Sequence, residues 1–180
     1  MTSEQVFNEI LEHMIKGLMI HEQFANYYDF LGLQGYRQCH EYHYRTENES
    51  YRELCHYYIK RYNKLTPVMT FENPSIIPTS WYAYTRQDVD AKTKQNAVKQ
   101  GLEKWVEWEN NTFTLYEQMY SELMSVGDIA AAAKVKELIQ DVEKEKFTAE
   151  KYHLNKIATG YDMVNIIEEQ KPLHCKYKKC

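Results

Sequence analysis

Glu109 lies in the middle of an apolar helical face, where a bare carboxylate costs several kcal/mol unless something compensates it. At about 100° per residue, Val98, Leu102, Trp105, Phe113, Tyr116, Tyr120 and Leu123 share that face. The same spacing puts Glu22 on the side lined by Phe7, Leu11, Met14, Ile15, Leu18 and Ala25, and sets His40, His43 and Glu47 among Tyr44, Tyr51, Leu54, Cys55 and Tyr58. Glu145, Lys146, Glu150 and His153 fall at or near the side marked by Ala131, Val135, Leu138, Val142 and Ala149. Inward carboxylates call for a cation or a hydrogen-bond network. With a few imidazoles among them they form an oxygen-rich, nitrogen-poor donor set, which suits iron or manganese rather than a thiolate-loving metal. Lys146 is the competing answer, since an ammonium near Glu109 would neutralise it without any metal. His40 and His43 have a plainer use as interhelical hydrogen-bonding residues.

Four long helices have to position these side chains. Residues 3 to about 31 read as the first, with Ser3 as N-cap, and the break GLQG at residues 32–35 is short enough to demand an antiparallel hairpin. The second runs from about Tyr36 to Leu65, and pairing positions equidistant from the turn sets Glu47 opposite Glu22. Thr66 to about Gln87 is a long connection holding three of the four prolines. It is long enough to travel the length of a bundle, so that the third helix starts parallel to the second. Its run Trp81, Tyr82, Tyr84 should pack on something. Asp88 to Val126, with one glycine and no proline, is the third helix, and Gly127 followed by Asp128 is a stop and an N-cap. Helix four covers Ile129 to about Ala158 with Gly160 at its end, YDMVNIIEEQK has the pattern of one further short helix, and PLHCKYKKC reads as an exposed tail.

The composition narrows the class. The 180 residues fit one domain, organised as a bundle over 1–160 and a short helix with a lysine-rich tail over 161–180. A net charge of −4 with 22 dispersed basic residues points away from nucleic acid. No apolar run approaches the ~20 residues of a membrane span, and the acidic N-terminus is unlike a secretion signal. Cys39, Cys55, Cys175 and Cys180 show no CxxC spacing and read as free thiols, which fits a cytoplasmic location.

The segment MYSELMSVGDIAAAAKVKELIQDVEKEKFTAEKYHLNKI resembles the closing hairpin of bacterial ferritins, and EQFANYYDFLGLQGYRQ is similar to the first hairpin of the ferritin and rubrerythrin group. The resemblance spans roughly Glu4 to Gly160 and implies an all-α ferritin-like four-helix bundle with a long crossover between helices two and three. It also implies a di-metal carboxylate site, with Glu22 as the helix-one ligand, Glu109 as the helix-three ligand and Glu145 as the helix-four ligand. Val142 stands where ferritins often keep Gln or Glu. On helix two the expected Glu-x-x-His has two readings. Glu53 and His56 supply the letters but project with Arg52, Lys60 and Asn63; Glu47 has the right phase, with Ser50 where the histidine belongs and His43 one turn earlier as a substitute nitrogen. Glu150 and His153 make a second Glu-x-x-His on the inner side of helix four, either a displaced ligand pair or a salt-linked cap.

By resemblance, the function is ferrous iron oxidation with storage or peroxide detoxification. Two irons per chain, with manganese as the other candidate, would react with O2 or peroxide in a self-associating protein. The competing expectation is a ferritin-fold scaffold whose site has degenerated, favoured by Lys146, Val142 and the missing inward histidine of the Glu-x-x-His.

Overall fold

Three of the four long helices start where the sequence supplies a side-chain cap. In the computed structural model, which describes residues 1–67 and 74–177, α1 covers Ser3–Phe30, α2 Gln34–Tyr62, α3 Ala91–Ser125, α4 Ile129–Ala158 and α5 Met163–Tyr177. Thr2, one residue earlier than the expected Ser3, accepts from the Gln5 backbone while the Gln5 side chain accepts from the Thr2 backbone. Asp90 and Asp128 cap α3 and α4 through Thr93 N–H and Ala131 N–H. Asp88, expected inside the third helix, instead caps a short 3₁₀ turn through Thr85, so α3 begins three residues later.

Two apolar clusters fix the topology. One joins the C-terminal half of α1 (Phe24, Tyr28) and Leu31 just beyond it to the start of α2 (Tyr36, Cys39), the first half of α3 (Val98, Leu102, Trp105) and Ala149 of α4. The other joins the start of α1 (Phe7, Leu11, Met14) to the end of α2 (Leu54, Tyr58), the end of α3 (Tyr116, Met119, Leu123) and the first half of α4 (Ala131, Val135, Leu138). Hence α1 and α2 are antiparallel, as are α3 and α4, while α2 and α3 run the same way. The connection between α2 and α3 therefore crosses the length of the bundle, as its length predicts; residues 68–73 of it lie outside the described residues. Trp81 in that connection packs on Tyr27 and Phe30, with ring centroids 5.3 and 6.2 Å away.

The C-terminal stretch departs from the expected exposed tail. The helix continues past Pro172 to Tyr177, because Ile166, Leu173 and Tyr177 share a face that is buried. It runs alongside α2: Gln170 accepts from the Gly35 and Tyr36 backbone, and the Tyr177 ring lies 5.3 Å from that of Tyr42. The buried Lys156 of α4 and the half-buried Glu169 of α5 form an ion pair at 2.8 Å, and Tyr36 donates to the same Glu169. Cys180 lies outside the described residues; Cys39, Cys55 and Cys175 are free thiols. Among the described residues, no helix is long and apolar enough to cross a membrane.

Candidate metal centre

Between the two apolar clusters, at mid-height, polar side chains from all four long helices meet. Glu109 is 1 % exposed and accepts a hydrogen bond from Trp105 Nε1 at 2.8 Å. Its counter-ion is not the expected lysine. Lys146 turns aside, with its ammonium 4.8 Å from the centre of the Phe113 ring. The nitrogen beside Glu109 is Nε2 of His21, fully buried, 3.6 Å from Glu109 and 3.3 Å from Glu47.

Helix one thus contributes an imidazole where a carboxylate is expected. Glu22 does not point inward: it is exposed, receives a long contact from Asn26 at 3.5 Å, and borders a small surface pocket with Asp29, Arg37 and Glu41. Glu47 faces His21, not Glu22, and it reaches there because α1 carries glycine at position 17. A Cβ on Gly17 would stand 3.0 Å from Glu47 Oε2 and 3.4 Å from Trp108.

From the other side, His43 Nδ1 lies 3.3 Å from Glu145 Oε1. Donor atoms of His21, Glu109 and Glu145 all lie within 4.8 Å of one another, with Glu47 on the His21 flank and His43 on the Glu145 flank. Glu150 and His153 do not join them. Both are half-buried, and His153 faces Tyr161 at the turn between α4 and α5, with ring centroids 6.4 Å apart. Glu53 and His56 are exposed, as their phase predicts.

Behind His21 stands His40, its Nδ1 3.0 Å from His21 Nδ1. Two ring nitrogens in contact need one donor and one acceptor. When His21 Nδ1–H donates to His40, the His21 Nε2 lone pair is aimed at the carboxylates, the arrangement by which an outer residue orients a metal-binding imidazole. His40 is suited to accepting, since burial and then the neighbouring His21 and His43 push its pKa well down.

Burial also opposes charge on His21, but Glu47 and Glu109 outweigh it and hold that imidazole up at about 10. His43 is likewise raised against its burial, by Cys39 and Glu145. Glu47 is pushed up by burial, with the His21 charge pulling the other way. Burial and the charges of Glu47, Glu145 and Glu109 keep the Tyr116 phenol protonated.

The donor set fits a hard or borderline cation. His21 Nε2, both nitrogens of His43 and Glu47 Oε2 are buried without a hydrogen-bond partner in the protein, and the ion contacts around them are not aligned as hydrogen bonds. Buried polar atoms left open in this way are rare, and three carboxylates with two imidazoles are the ligand chemistry of iron and manganese.

Mid-bundle carboxylates and imidazoles drawn from four helices, with a parallel α2 and α3 joined by a crossover, define a ferritin-like bundle with an added fifth helix. Solved structures agree on the fold. An open-pore ferritin from the archaeon Archaeoglobus fulgidus superposes with a TM-score of 0.77 at 16 % identity, over 95 % of this chain and 94 % of that one. A humanized archaeal ferritin gives 0.77 at 13 % identity over 95 % and 93 %, and a PmFTN variant soaked in iron gives 0.71 at 11 % over 92 % and 95 %. No protein-family model matches the sequence, and no curated protein does.

Proposed function

We propose that the protein binds ferrous ions as substrate at His21, His43, Glu47, Glu109 and Glu145 and oxidises them with O2 or peroxide, in iron storage or peroxide detoxification. The observation that carries this reading is the convergence of His21, Glu109 and Glu145 donor atoms within 4.8 Å in a site where His21 and Glu109 are almost wholly buried. Glu145 lies within reach of both imidazole flanks, which suits a carboxylate shared between two ions. With peroxide as oxidant, each of two ferrous ions gives up one electron, and with two protons the peroxide becomes two waters. The protein's own part is to hold the ions together, to keep Tyr116 protonated beside them, and to fix His21 through His40.

Anaerobic titration with Fe²⁺ followed by metal analysis tests the reading. The expected result is two ions per chain, lost in a Glu109→Gln, Glu145→Gln double variant that still folds. A folded wild-type protein that takes up neither iron nor manganese refutes it. That outcome would support the second reading, a scaffold in which the proton on His21 permanently balances Glu47 and Glu109; the 3.3 and 3.6 Å contacts are what favour it. We also read the protein as self-associating. Phe147, Leu154 and Ile157 of α4 and Val164 and Ile167 of α5 are each more than half exposed, and light scattering gives the assembly size.

A further inference from the structure

The centre is not sealed inside the bundle. A cleft of about 660 Å³ lies between α2 and α4, and its walls include His43, Glu47 and Glu145. Further out, the same cleft is lined by Glu49 and Glu53 of α2 and by Asp141 of α4, all exposed. The lysines on it are Lys144, which pairs with Asp141 at 2.8 Å, and Lys176 of α5. Even with His43 charged, five carboxylates against two ammonium groups leave the lining net negative, and low-dielectric walls concentrate such a field along the cleft. The gradient ends on atoms that can receive a cation. His43 is 4 % exposed, lines the cleft, and has both ring nitrogens without a hydrogen-bond partner, as does Oε2 of Glu47.

We infer that this cleft is the entrance through which divalent cations reach the centre from within a single chain, Glu49 and Glu53 drawing them in and Lys176 on α5 opposing them. The inference rests on the metal-binding reading above. It also excludes a class of ligand, because an anionic organic substrate would have to approach Glu47 and Glu145 past the same negative lining. The fifth helix thereby acquires a role besides packing. Its last turn places Lys176 and Tyr177 in the cleft lining, so α5 contributes to both its wall and its charge.

Stopped-flow binding of Co²⁺, a visible spectroscopic probe, to the full chain tests this with opposite signs. At low ionic strength Glu49→Gln with Glu53→Gln is expected to slow association about three- to tenfold, and Lys176→Gln to speed it about twofold, with the number of ions bound unchanged. Both effects should collapse near 1 M salt, where the screening length is about 3 Å. Ser50→Trp, which narrows the cleft without altering charge, should slow binding at every salt concentration. Glu117→Gln with Glu168→Gln removes equal charge from exposed positions off the cleft and should do little. Equal slowing by that control pair, no effect of the cleft pair, or slowing by Lys176→Gln overturns the entrance. Loss of cobalt binding by the wild type would instead bring down the centre itself, and the entrance with it.

Discussion

His21→Leu should be among the most damaging single changes to the metal-free protein, because it strips the cation from two acids at once. Among the described residues, the only basic nitrogen within ion-pair distance of Glu109 or of Glu47 is His21 Nε2. At an effective dielectric constant near 20, charges 3.3 and 3.6 Å apart attract by about 5 kcal/mol each before any desolvation is counted. Much of that offsets the cost of burying the charges, and removing one partner of a buried pair typically costs about 3–5 kcal/mol. For 180 residues the unfolding entropy is roughly 0.4 kcal/mol per degree, so the midpoint should fall by about 8–13 °C.

Calorimetry in the presence of chelator measures that loss, and a second substitution identifies its cause. Glu109→Gln in the His21→Leu background keeps an amide oxygen to accept from Trp105 Nε1 and removes a stranded charge, so it should restore part of the lost stability. If the deficit reflected only the hole or strain left by leucine, the second change would restore nothing. A midpoint drop under about 2 °C, or a double variant less stable than the single one, refutes the charge-compensation argument.

His40→Phe, which keeps a ring against Phe24 and Trp105 but cannot accept from His21 Nδ1, should weaken metal affinity about 10- to 100-fold while His40→Asn recovers part of it, as titration calorimetry would show. His13, stacked on Trp108 at 4.5 Å, is pushed down to about 4 chiefly by burial. The unfolded chain therefore takes up a proton below about 6.5 that the native chain refuses, so this contribution is present above that pH and is lost as the pH falls toward 4, by up to ~3 kcal/mol. Urea unfolding at pH 7.5 and 4.5 should show a smaller difference in a His13→Phe variant than in wild type.

How much of the centre was legible in sequence turns on a single residue step. The buried side of α1 is Val6, Phe7, Ile10, Leu11, Met14, Gly17, Ile20, His21, Phe24, Ala25, Tyr27 and Tyr28. On a 100° wheel that arc centres close to His21 and leaves Glu22 about 100° away, in solvent. A reading that counts Ile15 and Leu18 as inner residues swings the arc toward Glu22, but both are only half-buried. Gly17 carried the missing signal. A glycine one turn before a histidine on an inner face marks the spot where a side chain of the facing helix crosses, and here that side chain is Glu47. Helix three had no such ambiguity, since Trp105, Glu109, Thr112 and Tyr116 are spaced along one stripe and all are buried.

The remaining difference concerns which cation balances the acids, and periodicity cannot answer that because it ranks faces, not contacts. Lys146 is adjacent in phase to Glu145, and its long stem lets the ammonium choose between Glu109 and an aromatic ring; the structure places it over Phe113. With that ammonium gone from the interior, the charge on Glu47 and Glu109 falls to an imidazole that can carry either a proton or a metal on the same Nε2 atom. A lysine at that position would close the site for good. An imidazole leaves it exchangeable, which is the physical reason the proposed metal-binding reading is preferred to the scaffold reading.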